Sequence, residues 1–255
     1  MPASYAHYRF GKLLLPNLPG DVRQCIQRFR RMYDTGLQGP DILFYHNIFG
    51  KSSVYDLGDA FHRQSGQEFF SRVCAQADSE AAKSYLYGLL AHYCLDSQCH
   101  PFVNRIVSIG EAGHISLESE FERVLLQKDG VEIPYAYDRS RHIHLTRGEC
   151  MTVSGFYPPV TGGTISRCTK GMTFSLRFLS GSNREKTEKW MKRFTPNHMD
   201  QLIPVEENPE YVYMIGELLE LYDRALARYP LLLQQLRQHM EDGTELSEAF
   251  AADFG

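Results

Sequence analysis

The run from Ala82 to His100 constrains this chain more than any other stretch, because it reads as one helix with charge on its buried stripe. Advancing roughly 100° per residue places Ala82, Tyr85, Leu86, Leu89, Leu90 and Tyr93 on one arc, which has to face a core. His92 sits at the edge of that arc, Asp96 falls about 20° from Leu89, and His100 projects nearby. A second helix, expected over about His114 to Gln127, repeats the pattern. Leu117, Phe121, Val124 and Leu125 define its apolar arc, and His114 and Glu118 fall inside it, with Glu122 at the margin as a second-choice carboxylate. Ser116, Ser119, Glu120, Arg123 and Gln127 make the expected wet face. A carboxylate facing a core is costly unless it is neutralised. Any one such histidine is ordinarily explained by a hydrogen bond to a carboxylate. Two helices that each carry a His-x3-carboxylate pair, one turn apart on one face, point instead to a shared metal ion.

Composition sets the frame for that site. The 255 residues are 43% hydrophobic, enough for a sizeable core, and are read as one domain with a metal-site helical part over 1–127, an irregular excursion over 128–183 and C-terminal helices over 184–255. The net charge of −4 and the lack of a basic run exclude nucleic acid as an expected partner. No apolar stretch approaches the roughly 20 residues of a membrane span, and the start at Met1 lacks signal-peptide design. A cytoplasmic protein is therefore expected, and its six cysteines, which form no CxxC pair, are expected to be reduced.

The fold expected is all-α. Gly20-Asp21 opens a helix through about Tyr33, broken by Gly36 to Pro40, and a further helix starts near Val54. Ser79 is the N-cap of the long helix, which Pro101 should end. Asp129-Gly130 stops the helix that begins at His114. Beyond it, Arg141 to Thr146 alternates like a short strand, which would put His142 and His144 on one side as structural or solvent-facing residues. Phe156 to Val160 reads as a packed turn rather than a lipid-seeking loop. Helices return over Arg184 to Phe194 and Pro209 to Tyr229, with Pro230 separating a last one, and the tail after Asp242 should fray.

Several metal schemes fail on inspection. A di-iron bundle needs two Glu-x-x-His motifs and only Glu111-x-x-His114 occurs; a His-Asp dipeptide and an HExxH motif are both absent. Cys99, close to Asp96 on the helix face, is a weaker candidate ligand than the imidazoles. What does match is an order: His7, Gly39-Pro40-Asp41, His62, His92-x3-Asp96, His100 and His114-x3-Glu118. In that order the chain resembles the zinc-dependent phospholipase C family, which is related to the S1/P1 nucleases. The runs Tyr5 to Gly11, Gly39 to Tyr45 and Asp96 to Pro101 look like its bacterial intracellular branch. The resemblance covers roughly residues 3 to 127. It implies an all-α fold with a cluster of up to three zinc ions that hydrolyses phosphodiesters. Carried over, Asp41, His62, His92 and Asp96 bind one zinc, His100, His114 and Glu118 a second, and His7 with a bridging Asp96 a third. His46 is an alternative to His62. Three residues separate Asp96 from His100, fewer than in secreted members, and the chain starts at Met1 rather than at a processed amino group. Two zinc ions are therefore expected, with a third optional.

Such a centre suits a phosphoric ester hydrolase of the phospholipase C kind: a metal-activated water attacks phosphorus in line as hydroxide, and Asp41 orients or deprotonates that water. The substrate expected is a phosphate ester, phospholipid being the family inheritance. A soluble phosphodiesterase or phosphatase is one alternative; a non-catalytic protein that keeps zinc for stability is another. The charged stretch from Arg184 to Arg193 would serve a protein partner in that second case, although a solvated helix is the plainer reading.

Overall fold

The computed structural model describes residues 4–48, 50–180 and 184–255, without the side chains of 196–198, and within them the chain forms eleven α-helices and no strand. They are α1 (Ser4–Leu14), α2 (Gly20–Arg28), α3 (Arg30–Gly36), α4 (Ser53–His62), α5 (Gly66–Val73), α6 (Glu80–Ser108), α7 (His114–Lys128), α8 (Arg147–Ser154), α9 (Gly162–Leu179), α10 (Arg184–Phe194) and α11 (Val212–Asp242). Hydroxyls start many of them. Ser52, Ser65, Ser79 and Thr161 each accept an amide of the first turn of α4, α5, α6 and α9, and Thr146 with Glu149 closes a reciprocal capping box on α8. The all-α class agrees with the sequence.

Helix α6 is the axis. It is buried on nearly every side, with α1, α2, α3, α8 and α11 packed around it. The crossing with α3 depends on two small residues: a Cβ on Gly36 would stand 2.3 Å from the Tyr85 carbonyl, and one on Gly88 2.3 Å from the Tyr33 carbonyl. That close approach brings the end of α3 against the middle of α6, where His92 begins the face that also carries Asp96 and His100.

Five local expectations are corrected. Pro101 does not end α6, which runs on to Ser108. An internal proline costs roughly 3 kcal/mol, but Phe102, Val103 and Ile106 are all buried beyond it, and each such side chain contributes about 1.5–3 kcal/mol. Pro230 likewise lies inside α11, because Leu232, Leu233 and Leu236 are buried after it. The single helix expected over residues 20–33 is two, broken at Phe29, whose carbonyl accepts the Ser84 hydroxyl at 3.0 Å. The strand expected over Arg141 to Thr146 is turn and coil, since an alternating segment with no neighbour cannot satisfy its backbone. The excursion over 128–183 is irregular only to about residue 146, and α8 and α9 occupy most of the rest; residues 181–183 lie outside the described residues.

Two larger corrections concern what is covered. On α7, the face expected to be wet is partly buried: Ser119, Glu120 and Arg123 are at most 3% exposed. Residues 200–208 cross over it, with Ser119 donating to the Asp200 carbonyl at 2.8 Å and Glu120 paired side by side with Arg123. The tail after Asp242 is not frayed. It folds back with Leu246, Phe250 and Phe254 buried, Phe250 stacked on Tyr93 and Phe254 packed against Phe69 and Tyr93. As expected, Phe156 and Tyr157 form a buried turn and all six cysteines are unpaired. No helix among the described residues is long and apolar enough to cross a membrane.

Candidate metal centre

Eight side chains from five segments converge at the middle of α6. Helix α6 supplies His92, Asp96 and His100, spaced four residues apart on one face, and α7 supplies His114 and Glu118 with the same spacing. His7 comes from α1 and His62 from the last turn of α4. Asp41 sits in a short 3-10 helix, Gly39–Tyr45. Gly39 makes that segment possible: its φ is +49°, and a Cβ there would lie 2.3 Å from the His92 ring, so only glycine both turns the chain and lets it approach the imidazole.

The donor atoms form one connected set. His62 Nε2 is 3.0 Å from Asp41 Oδ1, His92 Nε2 2.9 Å from Asp96 Oδ2, and His7 Nε2 3.2 Å from Asp96 Oδ1. His100 Nε2 lies 3.8 Å from Asp96 and 3.5 Å from Glu118, and His114 Nε2 is 3.0 Å from Glu118. Two donors on a tetrahedral zinc, each about 2.0–2.1 Å from it, sit roughly 3.4 Å apart. Three groups could hold an ion, the first two sharing His92: His7, Asp41 and His92; His62, His92 and Asp96; and His100, His114 and Glu118. The last is the trio expected from the sequence. In the others, His7 joins Asp41 rather than standing apart, and His92 belongs to both.

Tautomers and orphaned atoms test the fit to a metal. His62 Nδ1 donates to the Gly58 carbonyl at 2.7 Å, His92 Nδ1 to Leu37 at 3.2 Å and His100 Nδ1 to Phe254 at 2.6 Å. A proton fixed on Nδ1 and given to a backbone carbonyl leaves the Nε2 lone pair aimed into the cluster, the arrangement that metal-ligating histidines have. Yet His62 Nε2, His92 Nε2, Asp41 Oδ1, Asp96 Oδ2 and Glu118 Oε2 have no hydrogen-bond partner among the described residues, although they are buried. His62 Nε2 stands 3.0 Å from Asp41 Oδ1 and His92 Nε2 2.9 Å from Asp96 Oδ2 without making a hydrogen bond. Buried polar atoms are ordinarily satisfied; lone pairs that converge without protons between them fit a cation. Imidazole nitrogens with carboxylate oxygens are zinc's usual donors.

The charges agree. Burial pushes the Asp96 carboxyl up, but His92, His100 and His7 around it hold it well below the usual range. Asp41 is lowered by His62 against the same burial, and Glu118 is brought down to about 2 by His100 and His114. Burial alone would lower His100; Asp96 and Glu118 carry it up to about 10. His92 is lowered by its burial. Three anionic carboxylates inside the fold therefore demand positive charge, from protons or from metal ions.

The remaining candidates lie elsewhere. His46 is beside Ser52, at 3.1 Å, outside the cluster. Glu122 is fully buried but paired with Arg139 at 2.5 Å and with the Tyr5 amide, so it belongs to a structural ion pair. Cys99 lines a small cavity of about 30 Å³ with His7, Asp96, His100 and Glu118, but burial and the neighbouring Asp96 push its thiol up and keep it protonated. His142 stacks on Tyr8 and contacts Gln38 Nε2 at 3.1 Å. Sequence reasoning missed one participant, the 247–255 tail. Besides the Phe254 carbonyl on His100, the Phe254 amide donates to the His62 carbonyl at 3.0 Å, and its ring lies about 6 Å from those of His62 and His92. Only its two buried phenylalanines, four residues apart, hinted at this.

Seven of the eight side chains are at most 7% exposed and His114 reaches 29%, so the centre meets solvent at the α7 end. No curated protein and no solved structure matches the chain. The family model described as zinc dependent phospholipase C matches residues 6–163, more than half of the sequence and a span that includes all eight side chains. The chain belongs to the zinc-dependent phospholipase C family.

Proposed function

We propose that the chain is a zinc-dependent hydrolase of phosphoric esters, with His7, Asp41, His62, His92, Asp96, His100, His114 and Glu118 as its metal ligands. The observation that carries this reading is the set of orphaned, converging Nε2 and carboxylate atoms, together with the family match. Zinc in such a set supplies Lewis acidity, making a nucleophile of water near neutral pH and drawing charge from phosphoryl oxygens. The chain's own residues do the rest. Asp96, within reach of His7, His92 and His100, is the central anion that keeps the donors together. Asp41, held anionic beside His62, is the carboxylate that orients or takes a proton from the attacking water. His114, the exposed member, stands where a phosphate ester enters.

Phospholipid is the substrate this reading puts first, a small soluble phosphodiester or phosphomonoester the second. The burial of the other ligands favours one further reading, in which the ions serve stability alone, as in closed structural zinc sites. Hydrolysis of a short-chain phosphatidylcholine and of a soluble aryl phosphodiester, each with zinc-loaded and chelated protein, separates the three. Zinc-dependent turnover that falls more than about 100-fold in Asp96→Asn is expected, beyond the loss produced by changing a residue that only supports a ligand. A zinc-loaded protein that hydrolyses neither ester would leave the stability role.

A further inference from the structure

Helices α9 and α10, almost wholly beyond the stretch that the family model matches, carry a surface that the hydrolytic site does not use. Four aromatic rings run across it in contact: Phe174 on Phe178, Phe178 on Trp190, and Trp190 on Phe194, with centroids 6.3, 5.3 and 5.3 Å apart. Phe174 is 57% exposed, Trp190 41% and Phe194 59%, and Ile48 beside them is 38% exposed. They shelter only a small satellite core of Leu179, Met191 and Leu202. Exposed single apolar residues are ordinary; a contiguous row of large rings on one face is not.

The net charge around the rings is positive. Helix α9 has three cations and no acid, and α10 has five cations against two acids, in a chain whose net charge is −4. The two acids are already engaged, Glu185 with Lys189 at 2.7 Å and Glu188 with Arg184 at 2.6 Å. On α9 the order Arg167, Lys170, Phe174, Phe178 runs along one face, cations first and rings after. On α10 Lys186, Trp190, Arg193 and Phe194 share a face in the same way, and Arg193 lies over the Phe194 ring, 5.4 Å from its centroid. Aromatic rings flanked by exposed lysine and arginine are the pattern of a helix lying in a membrane interface.

We propose that the α9–α10 face docks on an anionic lipid surface, with Phe174, Trp190 and Phe194 entering the headgroup layer and Arg167, Lys170, Lys186 and Arg193 meeting lipid phosphates. Charge complementarity selects an anionic partner, and the rings select lipid over nucleic acid: they pack on one another rather than presenting separate open faces on which bases stack. The face is tied to the metal centre. Gly171 of α9 packs directly on the Tyr45 carbonyl, at the end of the segment that carries Asp41. A groove of about 670 Å³, lined by Tyr45, His46, Ile48, Arg167, Lys170 and Phe174, opens between them.

Trp190 is the only tryptophan of the chain, so its emission reports on this face alone. The protein is mixed with vesicles of phosphatidylcholine, or of equal parts phosphatidylcholine and phosphatidylglycerol, and emission and cosedimentation are read together. A blue shift and cosedimentation with the anionic vesicles only, weakened by salt, are expected. Lys186→Glu with Arg193→Glu should weaken binding about tenfold or more, and Phe194→Ser should reduce the blue shift, with circular dichroism unchanged in both. Asp96→Asn should bind vesicles like the wild type, so docking stands or falls separately from hydrolysis. No response to either vesicle would overturn the proposal. So would equal binding to both, or a blue shift that follows protein concentration and dimer formation in sedimentation, which would make the face a contact between copies.

Discussion

Around Asp96, three carboxylates and five imidazoles are drawn almost entirely out of water, whereas at the α9–α10 corner a row of aromatic rings stands in it. Each region inverts the usual placement of its residue type. The energetics of the two inversions differ. A buried carboxylate without compensation costs several kcal/mol and has to be answered inside the fold, by a cation or a proton. An exposed ring costs the folded state little, because it is exposed in the unfolded chain as well; it changes what the protein associates with rather than whether it folds. The first inversion therefore points to a resident ion and the second to an external surface.

The largest expected effect breaks or upholds the first half of that contrast. Chelation of zinc-loaded protein should lower Tm by about 10 °C or more, since a loss of several kcal/mol corresponds to roughly 2–4 °C per kcal/mol in a chain of this size; an unchanged Tm in scanning calorimetry would make the cluster an ordinary polar network. Glu122→Gln sharpens the point from beside the cluster. It leaves the Arg139 guanidinium buried without its carboxylate partner, and about 3–5 kcal/mol of stability should be lost in urea titration with zinc content intact. Two rings then compare the regions directly. Phe254→Ala, at a fully buried ring beside His62 and His92, should cost about 3–5 kcal/mol, whereas Phe174→Ser at the exposed corner should stay within about 0.5 kcal/mol. Equal costs would erase the distinction.

The smallest effect concerns a half-buried histidine outside the cluster. Burial pushes His142 down to about 3, so the folded state keeps it neutral where the unfolded chain, with an ordinary value near 6.5, takes up a proton. Stability should fall as pH is lowered from about 6.5 toward 3, because the unfolded state binds the extra proton there. In His142→Gln the pH dependence of the urea midpoint should be shallower over that window; an unchanged slope would mean that His142 is not the group titrating.

What could be read from the sequence follows from how local each signal is. The periodicity of α6 and α7 carried His92, Asp96, His100, His114 and Glu118 onto core-facing arcs, because spacing along one helix is a local property. Asp41, His62 and His7 entered through the order of motifs in a family resemblance, since nothing in Gly-Pro-Asp by itself separates a helix start from a ligand. The same periodicity misjudged the polar side of α7, where the Glu120–Arg123 pair is covered by a distant segment, and stopped α6 and α11 at prolines that tertiary burial overrides. The tail that supports His62 and His100 was out of reach for the same reason. Its partners lie roughly 150 residues or more away in sequence, and its role rests on backbone amide and carbonyl groups that every residue has.

The central claim is that the cluster around Asp96 holds zinc. Metal content of the purified protein after dialysis, measured by mass spectrometry for the wild type and for Asp96→Asn, tests it most directly. At least two zinc equivalents per wild-type chain, with at least one lost in the folded variant, is the result predicted. A wild type that retains no zinc, or a variant that retains as much as the wild type, would contradict it.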